Sequence, residues 1–142
     1  MDWTYNGVQV NEIDPCYVGF IYVITNIING RKYYGKKKST FKRSSLKTVT
    51  LKNGSKKKKK CISYVPSDWN TYYGSCSELN DDVEKLGSYN FTREIIRFCS
   101  TLSELSYYEA KIQFETDCLL HPDKFYNGWI FVKVRGNHLI KN

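Results

Sequence analysis

The chain has 142 residues, of which 41% are hydrophobic and 15% aromatic, so it can build one compact core but hardly a second large domain. This composition excludes a disordered chain, and no apolar stretch is long enough to span a bilayer, so we expect no membrane partner. The net charge of +8 indicates a polyanionic partner.

The positive charge is concentrated in one part of the sequence. Residues 31–60 contain 14 of the 22 Lys and Arg residues and no Asp or Glu. Such a block attracts polyanions over long distances and releases counterions when it binds them. We therefore expect nucleic acid as the partner, with a solvated charge run or a membrane-surface patch as the alternatives.

The N-terminal segment and the cysteines indicate a protein that is not secreted. Residues 1–15 are polar and contain three acidic residues, unlike a signal peptide. The five cysteines are odd in number and lack the close pairs of a zinc site or a disulfide framework. We expect an intracellular protein with buried free thiols.

The first half of the chain predicts a β-hairpin followed by basic segments. Residues 19–25 (GFIYVIT) form an apolar, β-branched run typical of a strand, and Asn29-Gly30 supplies the turn before a second strand ending near Gly35. We expect a short basic helix over 39–49. Residues 53–60 (NGSKKKKK) predict a solvated loop, because five adjacent like charges repel one another.

The second half predicts two helices, each followed by a strand. Ser77 is the expected N-cap of a helix to Leu86, with Gly87 ending it, and residues 89–99 predict a third strand. Ser103 is expected to cap a longer helix that runs to about residue 120, before His121-Pro122, and residues 129–134 (WIFVKV) predict a last strand. The expected fold is α+β: one domain over 1–142, a small, mainly antiparallel sheet with flanking helices, and a basic loop insertion around 50–62.

Two short tyrosine motifs stand on the predicted hairpin. Phe20-Ile21-Tyr22 lies on the first strand and Tyr33-Tyr34-Gly35 on the second, and eleven positions separate Tyr22 from Tyr33. This pair resembles the G-I-Y and Y-I-G tripeptides of the GIY-YIG nuclease family, with Phe20 in place of the first glycine. The chain resembles in particular the short phage-encoded, homing-type endonucleases of that family.

The resemblance extends over most of the chain, from residue 19 to residue 134. The family places a catalytic arginine ten residues after the second tyrosine, where Arg43 stands. It also has a glutamate near the start of a later helix and an asparagine in the loop beyond, which Glu109 and Asn127 match. The resemblance implies a metal-dependent endonuclease that hydrolyses DNA phosphodiester bonds, in the cytoplasm of a bacterial or phage-infected cell.

The resemblance also implies roles for the hairpin residues. Tyr22 is the implied general base, while Tyr33 and Lys36 shape its hydrogen bonds and those of the phosphate. Tyrosine has an ordinary pKa of about 10, so it acts as a base near neutrality only where cations favour the phenolate. Lys36 and Arg43 would supply that field, and the Arg43 guanidinium would hold two phosphate oxygens in the transition state.

Glu109 is the implied ligand of a single Mg²⁺ or Mn²⁺ ion that is bridged to the phosphate. Leu105 four positions before it and Ile112 three after it place the carboxylate on an apolar helical stripe, where an idle charge is costly. Glu115 lies three positions after Ile112 on the same apolar stripe and is the alternative ligand. We prefer Glu109 because it lies early in the helix, after a tyrosine pair. Asn127 is implied to organise the site through hydrogen bonds.

Double-stranded DNA is the expected partner, and several lysines of the basic block are the expected contacts. They are Lys36, Lys37, Lys38, Lys42, Lys47, Lys57, Lys58 and Lys59. The sequence does not distinguish a monomer from a homodimer, and it does not distinguish homing, restriction, repair or genome degradation as the role.

The catalytic reading makes a spatial prediction. The hydroxyls of Tyr22 and Tyr33, the Arg43 guanidinium and the Glu109 carboxylate should line one concave, electropositive surface on the order of 10 Å across, because one phosphate must contact all of them. A buried Tyr22, or a Glu109 on the opposite side of the sheet, would defeat the nuclease assignment and make a catalytically inactive nucleic-acid-binding module on the same fold the better account. A ribosome-like basic RNA-binding protein would explain the charge block but not the carboxylate in an apolar stripe.

Overall fold

The computed structural model describes residues 2–139, which form seven strands, two α-helices and four short 3-10 helices. The strands are β1 (Trp3–Tyr5), β2 (Val8–Gln9), β3 (Gly19–Asn26), β4 (Lys32–Lys38), β5 (Thr40–Thr50), β6 (Lys56–Pro66) and β7 (Phe91–Cys99). The α-helices are α1 (Ser77–Leu86) and α2 (Leu102–Glu115). The 3-10 helices are Trp69–Thr71, Ser88–Asn90, Cys118–Leu120 and Gly136–His138.

The main sheet has five strands in the order β2-β1-β7-β3-β4, with β4 at one edge. Only the β1–β7 pair within it is parallel, which confirms the expected α+β fold with a mainly antiparallel sheet. The sequence analysis missed the short N-terminal hairpin of β1 and β2. Its signal was the Asn6-Gly7 turn, in which both residues have positive φ angles of 50° and 79°.

The predicted central hairpin is confirmed. Strands β3 and β4 pair antiparallel with Tyr22 opposite Gly35, and Gly30 occupies the turn with a φ of 76°. Because opposite residues share a face of the sheet, the register sends Tyr22 to one side and Ile21 to the other.

The two faces of the sheet carry different cores. On the face of Tyr22, a cluster of aromatic and aliphatic side chains includes Trp3, Phe20 and Leu79 of α1. On the face of Ile21, a smaller cluster contains Cys99 and Leu105 of α2. The helices therefore pack on opposite faces, and the edge strand β4 is where groups from both layers can meet.

The expected basic helix over 39–49 is wrong, and the expected loop over 53–60 is confirmed only for residues 53–55. Residues 40–50 and 56–66 form a long two-stranded antiparallel ribbon, β5–β6, which pairs with no strand of the main sheet in residues 2–139. The β-branched residues of this stretch, such as Thr48 and Val49, favour a strand. Successive side chains of a strand point to opposite faces, so five adjacent lysines repel one another less there than the loop prediction assumed.

The helix predictions hold with shifted ends. Helix α1 matches the predicted range, but its N-cap is Cys76 rather than Ser77. Helix α2 has Thr101 as its N-cap, where the hydroxyl accepts a hydrogen bond from the Glu104 amide. It ends at Glu115 rather than near residue 120, because Asp117 takes a left-handed conformation with a φ of 52°.

The predicted strand over 129–134 is wrong, since this segment is irregular in the structure. The neighbouring edge of β4 is contacted instead by the preceding residues: Lys32 N donates to Lys124 O, and Tyr126 N donates to Lys32 O. The apolar side chains of the segment remain largely exposed, including Trp129 and Phe131.

Two further expectations concerned buried free thiols and the absence of a membrane-spanning segment. All five cysteines are free, but only Cys99 and Cys118 are buried, while Cys16 is exposed. The expectation of buried thiols is therefore correct for two of the five. No helix within residues 2–139 is long and apolar enough to cross a membrane.

Candidate active site at the edge of the sheet

A pocket of about 570 Å³ lies beside the edge strand β4. It brings together residues from the hairpin, the start of α1, the middle of α2 and the segment after residue 125. Its lining residues are Tyr33, Lys36, Ser75, Cys76, Ser77, Glu78, Glu109, Tyr126, Asn127, Gly128, Trp129 and Phe131. Four residues predicted for the site therefore line one concave surface, namely Tyr33, Lys36, Glu109 and Asn127.

Tyr33 presents its hydroxyl to this pocket from the start of β4. The hydroxyl shares a hydrogen bond of 3.1 Å with the Ser75 hydroxyl, which precedes α1. Burial raises the pKa of Tyr33, Ser75 lowers it, and the nearby Tyr72 and Glu109 raise it further, with a net upward shift. Tyr33 is therefore a neutral phenol at neutral pH unless positive charge arrives beside it.

Lys36 and Glu109 form the charged part of the pocket. The Lys36 ammonium donates to the Ser106 hydroxyl at 3.0 Å and lies 3.9 Å from Glu109 Oε1. The Glu109 side chain is 16% exposed, and burial raises its pKa more than Lys36 lowers it. Lys36, at 3.9 Å, therefore neutralises the charge of the Glu109 carboxylate only in part.

Asn127 is clamped to the backbone of Tyr34. Its side-chain oxygen accepts from Tyr34 N at 3.0 Å, and its side-chain nitrogen donates to Tyr34 O at 2.8 Å. Gln113 of α2 donates to the same carbonyl at 2.9 Å. These amides satisfy backbone groups of an edge strand that would otherwise face outward, and they fix the segment after residue 125 against β4.

Tyr22 does not line the pocket, so this part of the spatial prediction is wrong. The residue is 1% exposed and packs edge-on against Trp3 and Tyr72. Burial, followed by the neighbouring hydroxyls of Tyr72 and Tyr33 and then by Glu109, raises the pKa of Tyr22 well above its ordinary value. Aromatic packing of the apolar strand β3 explains the burial, and the raised pKa opposes its role as a base that contacts water directly.

The expected arrangement on one side of the sheet is also wrong, because Glu109 belongs to the layer opposite Tyr22. Lys36, which approaches Glu109, pairs with Ile21 on the α2 face of the hairpin. The two layers meet at β4 because it is the edge strand and because Gly35 has no side chain. The charge of Glu109 accordingly acts on the pKa of both Tyr22 and Tyr33.

Arg43 is likewise absent from the pocket, contrary to the prediction. It lies on β5 opposite Ser63 and is exposed, because the segment that was expected to be a helix is a strand of the ribbon. Of the predicted DNA-contacting lysines, Lys36 lines the pocket and Lys37 pairs with Asp68 at 2.5 Å. Lys38 ends β4, and the other five, Lys42, Lys47, Lys57, Lys58 and Lys59, are exposed on the ribbon.

The structure separates the two candidate metal ligands. Glu115 lies outside the pocket, forms an ion pair of 3.8 Å with Lys111 four residues earlier, and lines a different depression with Tyr5 and Arg97. Glu109 faces the pocket, and the other acidic lining residue, Glu78, is already paired with Arg31 at 2.6 Å.

A divalent ion would find few protein ligands here. No group of three or more His, Cys, Asp and Glu side chains within residues 2–139 is arranged to hold a metal. The partly neutralised Glu109 carboxylate fits one position of a hard cation such as Mg²⁺, which accepts water and phosphate oxygens for the others. The residues thus fit an ion that arrives with its substrate rather than one held in a protein cage.

Several residues at the pocket were not predicted from the sequence. Ser75 and Ser106 bond to Tyr33 and Lys36, Gln113 supports Tyr34, and Trp129 and Phe131 form an exposed aromatic rim, 74% and 66% exposed. The helical spacing of Ser106 and Gln113 around Glu109 offered a weak signal, since positions three and four apart lie on neighbouring parts of one helix face.

Comparison with known proteins supports the reading of the fold. The family model described as "Putative endonuclease segE, GIY-YIG domain" matches residues 3–130. No curated protein and no solved structure matches the chain. The family match covers both tyrosine motifs, the ribbon, Glu109 and Asn127, and because it spans nearly the whole sequence, the chain belongs to the GIY-YIG endonuclease family.

Proposed function

We propose that this protein is an endonuclease that hydrolyses phosphodiester bonds of double-stranded DNA with the help of a divalent metal ion. The observation that carries the proposal is the convergence of Tyr33, Lys36, Glu109 and Asn127 on one pocket at the edge of the sheet. These groups come from separate parts of the sequence. A phosphate that enters the pocket can contact a phenol and an ammonium, and a divalent ion beside it can be held by the Glu109 carboxylate.

Each group has a task that phosphodiester hydrolysis needs. The Lys36 ammonium attracts the anionic phosphate and stabilises the charge that grows on its oxygens. Asn127 is a positioning residue, because both its side-chain oxygen and its side-chain nitrogen bond to the Tyr34 backbone and hold the segment after residue 125 at the pocket. The exposed Trp129 and Phe131 offer apolar surface next to the phosphate site, where a deoxyribose or a base can pack.

Glu109 is the proposed metal ligand. A Mg²⁺ or Mn²⁺ ion, when bound, supplies Lewis-acid stabilisation of the phosphate and of the leaving oxygen. The carboxylate itself provides one oxygen ligand and a partly buried negative charge that favours a cation. The bare Glu109 carboxylate raises the pKa of Tyr33. A cation bound at Glu109 would lower that pKa instead, because positive charge favours the phenolate.

Tyr33 replaces Tyr22 as the proposed proton acceptor for the attacking water. Its hydroxyl lines the pocket beside Ser75, whereas the Tyr22 hydroxyl is buried behind Gly35. Tyr22 is then a positioning residue, since its ring supports Tyr33 at a centroid distance of 6.2 Å. We place the activity inside the cell, because all five cysteines are free thiols.

A second candidate function is a nucleic-acid-binding module that has lost catalysis. Two observations favour it: Tyr22 is buried, and Arg43 lies on the ribbon instead of in the pocket. The two candidates differ over Glu109, because a binding module has no use for a partly buried carboxylate that repels phosphate.

The experiment that tests the proposal is incubation of supercoiled plasmid DNA with the purified protein. The endonuclease converts the plasmid to nicked and linear forms with Mg²⁺, and EDTA stops the reaction. A gel-shift measurement on a short duplex in EDTA is run in parallel. Binding without cleavage at any Mg²⁺ or Mn²⁺ concentration would favour the binding module.

A further inference from the structure

The β5–β6 ribbon is the most strongly charged element of the molecule. Residues 40–66 contain nine Lys and Arg residues and no Asp or Glu. None of these nine takes part in an ion pair found within residues 2–139. No residue of either strand is buried, so the ribbon has little packing of its own to hold it against the domain.

The register of the ribbon distributes this charge over both of its faces. Lys47 lies opposite Lys59 and Val49 opposite Lys57, so one face carries Lys47, Lys57 and Lys59 near the turn. Leu46 lies opposite Lys60 and Thr48 opposite Lys58, so the other face carries Lys56, Lys58 and Lys60. Lys47 and Lys59 are directly opposed, and like charges so placed destabilise a strand pair. The lysines of the unbound ribbon therefore repel one another, and negative charge placed against both faces would relieve this repulsion.

We propose that the ribbon inserts into the major groove of duplex DNA, with phosphates of the two DNA strands against its two faces. This inference rests on the proposed function for the identity of the partner. A protein that only lies on a DNA surface needs positive charge on one face, whereas an element between two phosphate backbones needs it on both.

The dimensions of the ribbon agree with this placement. Strands of 11 residues extend over about 33–36 Å, which is close to one turn of B-form DNA. A two-stranded ribbon fits the major groove, about 12 Å wide, but not the minor groove of about 6 Å. The ribbon begins at Thr40, four residues after Lys36, so its base adjoins the strand that carries part of the pocket.

A second copy of the chain is a poor occupant of this surface. Two ribbons packed against each other would set nine positive charges against nine more, and the ribbon contains no acidic residue to pair with them. The exposed apolar residues Leu46, Ile62 and Tyr64 all lie on the face of Lys58 and Lys60, so burying them against another ribbon would also bring lysines together.

The test compares the two faces through the salt dependence of binding. One variant is Lys47→Gln, Lys57→Gln and Lys59→Gln; the other is Lys56→Gln, Lys58→Gln and Lys60→Gln. Both lose three charges from the same ribbon, and a third variant, Lys85→Gln, Lys111→Gln and Lys124→Gln, removes three charges elsewhere. Binding to a 30-base-pair duplex is measured in EDTA, so that the result does not depend on cleavage, and circular dichroism confirms folding.

Groove insertion predicts that both ribbon variants lower the slope of log affinity against log salt equally, by about two to three, while the third leaves it unchanged. Bulky groups at the 5-position of the pyrimidines should weaken binding at least tenfold, and a minor-groove-binding polyamide should not. An A-form RNA duplex, whose major groove is deep and narrow, should bind more weakly. A lowered slope in only one ribbon variant, or equal binding of the RNA duplex, would overturn the proposal.

The outcome is separate from that of the proposed function. Equal loss of slope in both ribbon variants, together with no plasmid cleavage, would leave the ribbon as a DNA reader and remove the nuclease. Plasmid cleavage with unchanged salt slopes in both ribbon variants would keep the nuclease and exclude the ribbon as the DNA-binding element.

Discussion

A Cβ atom at Gly35 would lie 2.5 Å from the hydroxyl oxygen of Tyr22. The ring of Tyr22 can therefore cross beneath β4 only because residue 35 has no side chain. The glycine of the second tyrosine motif and the tyrosine of the first form one packing unit at the edge of the sheet. The pocket lies beside the same strand, and both Tyr33 and Glu109 line it.

Gly35→Ala should destabilise the protein by about 1–3 kcal/mol, the usual cost of forcing an extra methyl group into a packed site. It should also displace Tyr22 and lower cleavage. Gly128→Ala is the matched control, because nothing lies within 4 Å of a Cβ there. Urea unfolding measures both variants, and equal stability of the two would show that the Tyr22–Gly35 packing is looser than the structure indicates.

Glu109→Gln should make the protein more stable at neutral pH. The pKa of Glu109 is raised in the folded state, so the folded protein loses stability as pH rises from the unfolded-state pKa to the folded-state pKa. The variant removes this cost and should therefore have the higher Tm at neutral pH.

The difference between Glu109→Gln and the unmodified protein should shrink toward about pH 4, where both side chains are largely neutral. Glu115→Gln is the control, since that side chain is exposed. Addition of Mg²⁺ with a short DNA duplex should stabilise the unmodified protein more than the variant. A Tm difference that stays constant with pH would contradict the titration of Glu109 as its cause.

Asn127→Ala should expose the backbone of Tyr34. The change removes the acceptor for Tyr34 N and one of the two donors to Tyr34 O, while Gln113 keeps the other. An unsatisfied buried amide costs about 1–3 kcal/mol. Hydrogen exchange followed by NMR should show the Tyr34 amide exchanging faster, and the exposed Asn137→Ala should leave it unchanged. Equal protection in both variants would mean that another group satisfies this amide.

The two tyrosines should differ in their effect on catalysis. Tyr33→Phe should lower single-turnover cleavage by about 10²- to 10⁴-fold, the range for loss of a general base, with little change in DNA affinity. Tyr22→Phe should lower it less, because its hydroxyl is buried away from the pocket. If Tyr22→Phe were inactive and Tyr33→Phe active, Tyr22 would be the general base. The hairpin would then have to open, because the Tyr22 hydroxyl is buried in this structure.

The central hairpin and the two helices were predictable because their signals are local. The Asn29-Gly30 turn, the apolar run of β3 and the glycine after α1 fix those elements without reference to the rest of the chain. Glu109 was preferred because it lies early in a helix after a tyrosine pair, as the family resemblance implies, and the structure places it at the pocket.

The features that were missed depend on tertiary context. Whether Arg43 reaches the pocket depends on the shape of residues 39–66, and charge patterning alone does not distinguish a helix from an exposed ribbon. The burial of Tyr22 follows from packing against Trp3 and Tyr72, which lie far away in sequence. The apolar run 129–134 resembles a strand, yet the adjacent edge of β4 is occupied by residues 124–127.

The most direct test of the nuclease proposal is plasmid cleavage by Glu109→Ala beside Glu115→Ala, at equal protein concentration with Mg²⁺. The two variants remove the same charge from the same helix, but only Glu109 faces the pocket. We expect Glu109→Ala to abolish cleavage while a gel shift in EDTA shows DNA binding unchanged or slightly stronger, and Glu115→Ala to cut normally. Full activity of Glu109→Ala would contradict the proposal, and with an inactive Glu115→Ala it would transfer the metal role to Glu115.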